Sequence, residues 1–368
     1  MKLIFMDFII PYLLKDTDYP VGGACVEQYA LAKGLIELGH KVGILTWKGA
    51  KEFVGRDLEF DLVETYPLDR GIRKLRWFYS RFPSMLKATL RYNPDYLFTE
   101  CAGTNVGEMA FISKLLTIPF VYRVSNDMEV DKRLNEREGF INRKIYKWGL
   151  ERAKYILAQN NYQYNILKRL YLANKVIKIY NPYYCPNNLP QIKSGRFRNY
   201  IAWIGIFQYQ KNLPALLRIA RNNSRIEFRI AGINGNVDKS TKIALEDLKR
   251  CKNVRFVGYL NRTEILPFLS KAYALLNTSH YEGFSNTFLE AFATGTPVIT
   301  LGVNPDEIIT KYSLGFVTKE SEINQIFNKL DRHYDYIKYG WEMRKYLDEK
   351  HNYKKIAASL IKILEKTL

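Results

Sequence analysis

Two glutamates, Glu282 and Glu290, are separated by seven residues in the segment 279–300, SHYEGFSNTFLEAFATGTPVIT. The Gly-Phe-Ser-Asn sequence after the first glutamate is typical of a helix start, and Gly295 and Pro297 follow where that helix should end. Backbone amides at a helix start bind phosphate, and carboxylates accept hydrogen bonds from hydroxyl groups. The segment therefore predicts a site whose chemistry suits a sugar nucleotide.

The start of this helix supplies the groups that would bind an anion. Ser285, Asn286 or Thr287 can cap the helix. The backbone amides that would then face a phosphate are those of Gly283, Phe284 and Ser285. Glu290 could accept hydrogen bonds from a ribose diol, and Glu282 could reach a sugar hydroxyl. The alternative interpretation is a capping box from Thr287 to Glu290, in which the glutamate bonds only backbone.

The composition limits the class of protein. A chain of 368 residues, 47% of them hydrophobic, is long enough for two folded domains. Its four cysteines have no C-x-x-C spacing, which argues against a zinc site and against a disulfide framework. No Asp-x-Asp pair stands in a suggestive loop, so we expect no obligatory metal. The net charge of +19 favours an anionic partner: nucleic acid, a membrane surface or a phosphorylated substrate.

Alternating strands and helices must position these groups. The first half has candidate strands at residues 3–8, 41–47, 96–99, 120–124 and 155–158, with a helix at 26–38. The second half has candidate strands at 200–204, 225–231, 254–257 and 273–277, with helices at 213–221 and 264–270. This alternation indicates an α/β protein with two Rossmann-like, doubly wound domains. Ligands of such sheets bind at the carboxyl ends of the strands, so we expect a central cleft that both domains face.

Proline and asparagine mark the boundary between the two predicted domains. Residues 1–180 form the first domain, 181–199 read as a linker and 200–333 form the second domain. Residues 334–368 are predicted to be amphipathic helices that could pack on either domain.

One segment is unusually basic. Residues 70–91 contain seven Lys or Arg, no acidic residue and four interleaved aromatic residues. This pattern predicts an element that binds an anionic membrane surface. The alternative is a solvated basic helix whose aromatic residues face the core.

The N-terminal apolar run predicts a strand rather than a targeting segment. Asp7 interrupts the run and Pro11 breaks it, so a buried first strand is favoured over a signal peptide. No stretch of the sequence reaches the roughly 18 uncharged apolar residues of a transmembrane helix. We therefore expect a cytoplasmic protein that is peripheral on the inner face of the cell membrane.

Residues 282–299 resemble the signature of one enzyme family, the retaining GT-B glycosyltransferases of glycosyltransferase family four. The family pattern E-G-F/L-x-x-x-x-x-E-A-x-A-x-G-x-P-V-I stands here as EGFSNTFLEAFATGTPVI. Further segments that resemble the family, in the family's order, lie at 22–23, 178–182, 203–212, 230–232 and 254–258. The resemblance thus covers most of the chain and implies a GT-B fold.

The resemblance implies a donor site residue by residue. Lys211 would neutralise the diphosphate as it leaves, Glu282 would contact the transferred sugar near the reacting carbon, and Glu290 would bind the donor ribose. The other donor-binding positions would be Gly22, Gly23, Gly205, Gly258, Tyr259, Gly283, Phe284, Ser285 and Asn286.

Two departures from the family pattern affect the expected site. Ile206 stands where the family usually has an arginine that binds the diphosphate, and Ser125 stands where many members have a histidine. We expect Arg123, Ser125 and Asn126 on the acceptor side, and Asp127 among the catalytic residues. A polar loop that caps the next helix is the alternative interpretation of these residues.

The implied activity is retaining transfer of a hexose-type sugar from a UDP- or GDP-sugar, with no obligatory cofactor. The acceptor would be a saccharide or a polyprenyl-linked saccharide in cell-surface polysaccharide or glycolipid synthesis. Two alternatives keep the fold: a sugar-nucleotide-binding protein without activity, and a GT-B sugar-nucleotide epimerase. A nucleic-acid-binding protein is disfavoured because no nucleic-acid motif is present, although the charge alone would allow one.

Overall fold

The computed structural model of the protein describes residues 1–15, 17, 19, 21–72, 75–332 and 334–366. The chain divides into two compact units, Met1–Tyr184 with His351–Leu368, and Cys185–Lys350. The predicted linker is divided between them, and its residues Ile192 and Arg198 are buried.

The first unit is a parallel sheet with helical crossovers. Its strands are β1 Lys2–Met6, β2 Lys41–Thr46, β3 Asp61–Glu64, β4 Tyr96–Glu100, β5 Phe120–Arg123, β6 Tyr155–Ala158 and β7 Val176–Lys178. They are hydrogen-bonded in the order β3-β2-β1-β4-β5-β6-β7. Its helices before the second unit are α1 Ile10–Leu14, α2 Gly23–Glu37, α3 Ala50–Val54, α4 Phe82–Tyr92, α5 Thr104–Leu116, α6 Leu134–Arg137, α7 Phe140–Arg152 and α8 Asn161–Leu170. A π-helical turn, Trp77–Arg81, leads into α4.

Both faces of this sheet are covered by apolar side chains. In β1, Leu3 and Phe5 belong to one buried cluster, whereas Ile4 and Met6 belong to another. Consecutive residues of a strand point to opposite faces, so the two clusters lie on opposite sides of the sheet. Such two-sided burial explains the nearly continuous apolar runs of the central strands.

The predicted strands of the first half are confirmed, with ends that differ by at most two residues. Strands β3 and β7 were not predicted, because each lies at an edge of the sheet and contains only two apolar residues. A strand that is half-solvated and this short leaves little apolar pattern in the sequence.

The second unit has the same architecture. Its strands are β8 Tyr200–Ile204, β9 Phe228–Ala231, β10 Val254–Gly258, β11 Ala272–Asn277, β12 Val298–Thr300 and β13 Gly315–Val317, in the order β10-β9-β8-β11-β12-β13. Its helices are α9 Leu213–Asn222, α10 Lys239–Arg250, α11 Arg262–Ser270, α12 Asn286–Ala293, α13 Ile308–Lys311, α14 Ile323–Arg332 and α15 Tyr336–His351. The strand predicted from residue 225 begins at residue 228. The reason is a turn closed by the Asn253 amide, which donates to the carbonyl groups of Ala220, Asn223 and Ile226 at 2.9–3.1 Å.

The last helix, α16 Tyr353–Glu365, belongs to the first unit and packs on α2. Leu360 and Leu364 are fully buried in the apolar cluster that contains Leu3 and Phe5 of β1. Gly34 lets the two helices approach closely, since a Cβ there would lie 2.7 Å from the Tyr353 carbonyl oxygen. The C-terminal helix therefore forms part of the first unit's core.

The strand orders locate the place where each sheet can bind a ligand. Strand order reverses between β1 and β4 in the first unit, and between β8 and β11 in the second. At such a switch point the loops after neighbouring strands run in opposite directions and leave a crevice at the carboxyl ends. Functional residues are therefore expected in the loops after these four strands and their neighbours.

Among the described residues, no helix is both long enough and apolar enough to span a lipid bilayer.

Candidate active site

The loop after β8 holds Lys211 in a fixed backbone conformation. The next residue, Asn212, adopts a left-handed conformation at φ 50° and caps α9 by accepting a hydrogen bond from the Ala215 amide. The Thr278 hydroxyl donates to the Lys211 carbonyl at 2.7 Å, and the Trp203 indole donates to that hydroxyl at 3.0 Å. Lys211 is thus tied both to β8 and to the loop after β11.

Lys211 forms an ion pair with Glu282 at the switch point of the second unit. Its ammonium contacts Oε1 of Glu282, and the side chains remain 17% and 10% exposed. Ser279 donates to the same carboxylate oxygen at 2.8 Å, and the Gln210 amide donates to the other at 3.0 Å. The structure therefore brings together two predicted residues from loops about 70 residues apart and orients them by hydrogen bonds while leaving part of each accessible.

Glycines bring the strand-end loops of this sheet close together. At Gly232, which has a φ of +157°, a Cβ would lie 2.0 Å from the carbonyl oxygen of Gly205. The Gly232 amide donates to the Gly258 carbonyl at 2.8 Å. Gly205, Gly258 and Tyr259, all predicted donor-binding positions, thus lie at the carboxyl edge of the same sheet.

The helix start between the two glutamates has the predicted form. Helix α12 begins at Asn286, with Ser285 as its N-cap residue in an extended conformation. The Ser285 hydroxyl pairs with the Thr287 hydroxyl at 2.9 Å instead of accepting from a helix amide. Gly283, Phe284 and Ser285 are buried in the preceding loop.

Glu290 lies in the second turn of α12, and its carboxyl group has a raised pKa. Thr287 is inside the helix rather than at its cap, so the capping-box interpretation of Glu290 is wrong. Burial raises the pKa of the Glu290 carboxyl to about 7, and the positive charge of Arg262 opposes that rise. A carboxyl group with this pKa is only partly ionised at neutral pH, so its charge can change when a hydroxyl-bearing ligand binds.

In the first unit the Gly22-Gly23 loop leads into α2. Gly22 is the extended N-cap residue and Gly23 is the first residue of the helix. Among the described residues, nothing lies within 4 Å of where a Cβ of Gly22 would stand. Internal packing therefore does not require glycine at this position, which is compatible with close approach of a ligand to the backbone.

Arg123, an expected acceptor-side residue, is buried at the end of β5 and is 1% exposed. One end of its guanidinium pairs with Glu27 and, at 3.1 Å, with Glu100, and the other end donates to Asn181 at 2.9 Å. The two carboxylates raise the pKa of Arg123, although burial alone would lower it. Burial raises the pKa of Glu100 to about 8 against the opposing charge of Arg123. Both terminal nitrogens of Arg123 are therefore engaged inside the unit, where they hold Glu27, Glu100 and Asn181 together.

The loop after β5 contains the other predicted acceptor-side residues. Ser125 donates to Glu129 through both its hydroxyl and its amide. Asn126 accepts from the Met128 amide at 3.1 Å and so caps the 3-10 turn Asp127–Glu129, as the alternative interpretation expects. Asp127 accepts from Asn160 and Gln163 at 2.9 Å each, and burial raises its pKa to about 6.

Several buried polar groups around Arg123 were not predicted from the sequence. Three atoms there have no hydrogen-bond partner among the described residues: Glu100 Oε2, Gln159 Oε1 and Asn181 Nδ2. Glu100, at the end of β4, and Gln159, directly after β6, could have been found, because polar residues at strand ends are a signal of a site. Glu27 gives no such signal, since it lies inside helix α2 rather than at a strand end.

Two protein-family models match this chain and together cover most of it. The model described as glycosyltransferase family 4 matches residues 21–184, and the model described as glycosyl transferases group 1 matches residues 188–351. Among curated proteins, the glycogen synthase of Mycobacterium tuberculosis is 34% identical over 107 residues. That match spans 28% of this chain and about a quarter, 26%, of the glycogen synthase.

Solved structures resemble the whole chain. A mutant of S. aureus TarM, in complex with fondaparinux, α-GlcNAc-glycerol and UDP, has a TM-score of 0.73 at 13% identity and covers 99% of both chains. WaaG, described as a glycosyltransferase involved in lipopolysaccharide biosynthesis, has a TM-score of 0.66 at 15% identity, over 98% of this chain and 99% of its own. At these identities the likeness establishes the fold, which is the predicted GT-B fold with two Rossmann-like domains.

Proposed function

We propose that this chain, which belongs to glycosyltransferase family four and is a glycosyltransferase, transfers a hexose from a nucleoside-diphosphate sugar with retention of configuration. The acceptor is a saccharide or a lipid-linked saccharide used in cell-surface polysaccharide or glycolipid synthesis. The observation that carries the proposal is the oriented Lys211–Glu282 pair at the switch point of the second unit. The UDP held by the TarM structure makes a UDP- or GDP-sugar the first donor to test.

The proposed donor site uses groups with complementary chemistry. Lys211 binds the diphosphate, and the backbone before α12, from Gly283 to Asn286, approaches the same anion. Glu282 accepts from a sugar hydroxyl and Glu290 from the ribose diol. The remaining predicted donor contacts are Gly22, Gly23, Gly205, Gly258 and Tyr259.

Transfer breaks the bond between the anomeric carbon and the diphosphate oxygen and forms a bond to the acceptor oxygen. The developing positive charge at the sugar resembles that of glycoside hydrolysis. Lys211 stabilises the negative charge that grows on the diphosphate, because a fixed cation near a departing anion lowers the barrier without reorganisation. The acceptor proton goes to the departing phosphate on the same face, so no protein nucleophile is required.

The acceptor side is proposed to lie in the loop after β5. Ser125 and Asn126 belong to that loop, and Asp127 is its catalytic candidate. Burial raises the pKa of Asp127 to about 6, so its carboxyl is mostly ionised at neutral pH and can accept a hydrogen bond from the acceptor hydroxyl before the proton passes to the departing phosphate. Arg123 acts indirectly, by fixing the end of β5, from which this loop starts, against Glu27 and Glu100.

A donor screen tests the proposal. We expect one of the UDP-, GDP- or ADP-sugars to raise the melting temperature of the chain, since a bound ligand stabilises the folded state by mass action. Incubation with that donor and a saccharide acceptor should then yield product, with and without chelator, because no obligatory metal is proposed. Donor binding without transfer would favour the inactive binding protein. Donor conversion without acceptor would favour the epimerase, and salt-sensitive DNA binding with no donor binding would favour a nucleic-acid function.

The raised pKa of Glu290 predicts opposite pH effects on donor binding and on stability. The carboxylate form accepts both ribose hydroxyls, so donor Kd should rise about tenfold for each pH unit below pH 7. Without donor, the folded pKa lies above the unfolded value of 4.5, so Glu290's contribution to stability is present below pH 4.5 and is lost as pH rises through about 7.

The Glu290→Gln variant separates the two effects. At about pH 8 it should bind donor more weakly than the wild type, yet unfold at a higher temperature when donor is absent. Its donor Kd should not change between about pH 5 and pH 8. Calorimetric titration and thermal unfolding measure the two quantities, and a wild-type Kd that is constant over this range would contradict the role of Glu290.

Peripheral association with an anionic membrane is proposed for residues 70–91, on the cytoplasmic side. Arg73 and Lys74 of this segment lie outside the described residues. Phe78 and Tyr79 are 69% and 54% exposed, whereas Phe82 is buried. One aromatic residue thus faces the core, as in a solvated basic helix, and two remain available to a membrane surface.

A further inference from the structure

An apolar groove of about 680 Å³ lies in the first unit, where the π-helical turn Trp77–Arg81 meets α5 and α7. Its apolar lining comes from Trp77, Phe78, Phe111, Ile145 and Trp148. This volume falls in the range of pockets that hold small ligands. The predicted donor and acceptor residues are not among those that line it.

Aromatic rings form a continuous row along the groove. Phe78 packs edge-on against Trp77 and Trp77 stacks on Phe82, with 5.0 Å between the ring centroids of each pair. Phe82 stacks on Phe111 at 5.0 Å, and Phe111 meets Trp148 at 6.5 Å. The row joins the segment singled out in the sequence to a second element, α7, that no sequence pattern had indicated.

Close helix packing gives the groove a firm floor. A Cβ at Gly107 of α5 would lie 2.3 Å from Ile145, and a Cβ at Gly149 of α7 would lie 2.8 Å from the Val106 backbone. The Trp77 indole is fixed by donation to Glu108 at 2.6 Å, and burial raises the pKa of that carboxyl. The groove is therefore preformed, which lowers the entropic cost of binding an apolar chain.

The rim of the groove is apolar and basic. At the start of α7, Phe140 and Ile141 are 61% and 71% exposed, and the Lys144 ammonium lies 4.4 Å from the Phe140 ring centroid. Helix α7 carries four Lys or Arg and one acidic residue, and Lys144 is the cation that lines the groove itself. Exposed aromatic and aliphatic side chains flanked by cations match the interface of an anionic lipid layer, where chains lie below phosphate groups.

We propose that this groove binds the hydrocarbon chain of an anionic lipid at the membrane surface, with the cations of α7 and of the described part of 70–91 on the lipid phosphates. The inference deepens the proposed function and rests on it only for the reason why the chain visits a membrane. It assigns the contact to two elements and to a defined cavity, rather than to the basic segment alone.

Vesicles made of equal parts phosphatidylcholine and phosphatidylglycerol, the latter brominated on its acyl chains, test the proposal with the full chain. Bromine quenches a tryptophan only in contact with the chains, and Trp341→Phe removes an exposed tryptophan of the second unit from the signal. We expect strong quenching of tryptophan fluorescence in the Trp341→Phe variant. The quenched fraction should fall clearly when Trp148→Phe is added. Vesicle binding without quenching by brominated chains would overturn the proposal.

Two substitutions of exposed groove residues, Phe78→Ser and Phe111→Ser, keep the test independent of folding. Each should weaken vesicle binding between roughly tenfold and a hundredfold, because a phenyl group loses its apolar environment. Phe197→Ser, at a phenylalanine that is 56% exposed in the second unit, is the matched control and should bind as the wild type. Wild-type vesicle affinity in both groove variants would overturn the proposal, as would a dimer that Phe78→Ser converts to monomers.

Donor-induced stabilisation, measured on the same samples, separates this inference from the proposed function. We expect Phe78→Ser and Phe111→Ser to keep the wild-type shift with a sugar nucleotide. Quenching by brominated lipid in a protein that binds no sugar nucleotide would support the groove and contradict the enzyme. Donor binding with no quenching would contradict the groove alone.

Discussion

Lys211→Ala is expected to lower the rate of sugar transfer by about 10²–10³-fold, the usual cost of removing one charge-stabilising group from a transition state. The Lys211 ammonium is held by its ion pair with Glu282, and the Thr278 hydroxyl fixes the Lys211 backbone by donating to its carbonyl. The ammonium can therefore bind a leaving diphosphate with little rearrangement. Its removal also leaves the Glu282 carboxylate as an uncompensated negative charge near the departing anion. Single-turnover transfer with the donor found in the screen measures this effect.

Glu282→Ala should also lower the rate strongly, because it removes a sugar contact and frees the lysine side chain. If the two residues act as a unit, the double variant should be little worse than either single variant. A matched control is the Arg218–Glu320 pair of the same unit, with an N···O distance of 2.7 Å and side chains that are 55% and 32% exposed. Alanine at Arg218 should change the rate less than about threefold. Turnover within about threefold of wild type in both Lys211→Ala and Glu282→Ala would contradict the assignment.

The donor half of the site could be predicted from the sequence because its signals are local. A helix start, two glutamates and a stop glycine lie within 22 residues, and each depends on backbone geometry set by its neighbours. The sequence also indicated the strand that precedes Lys211. It could not show that Ser279 and Gln210 orient the Glu282 carboxylate, since side-chain hydrogen bonds across two loops depend on the sheet order.

The acceptor half was harder to predict because its contacts are not local. Arg123 follows an apolar strand and is followed by polar residues, a pattern that suggests an accessible site residue. Its burial comes from Glu27, which lies 96 residues away in α2, and from Asn181, 58 residues away. Only the order of the strands in the folded sheet brings these groups together. The apolar groove could not be predicted for the same reason, because its lining comes from a basic segment and from a helix about 70 residues later.

The second large effect is expected at Arg123. Arg123→Met should lower the free energy of unfolding by about 3–5 kcal/mol, because it leaves the buried carboxylates of Glu27 and Glu100 without their cation. The loss should depend on pH. The pKa of Glu100 is already raised to about 8 by burial, against the charge of Arg123, so the variant raises it further.

The sign of this pH dependence follows from the raised pKa. Glu100's contribution to stability is fully present below its unfolded pKa, 4.5, and is lost as pH rises through the folded value. Below about pH 8 Glu100 is protonated in the folded state of both proteins, so the difference in unfolding free energy between wild type and Arg123→Met should be nearly constant from pH 4.5 to about 8 and should grow above about pH 8. Denaturant unfolding at several pH values, with Arg137→Met as an exposed arginine control in the same unit, measures the difference.

A compensated variant decides whether Arg123 positions the acceptor loop or contacts the substrate. Adding Glu27→Gln and Glu100→Gln to Arg123→Met removes the buried charges, so most of the lost stability should return. If Arg123 acts only by holding the loop after β5, transfer should recover in part, chiefly through KM for the acceptor. A triple variant that regains stability but shows no transfer would instead place the guanidinium in direct contact with the substrate. An unaltered unfolding free energy in Arg123→Met itself would contradict the buried ion-pair network.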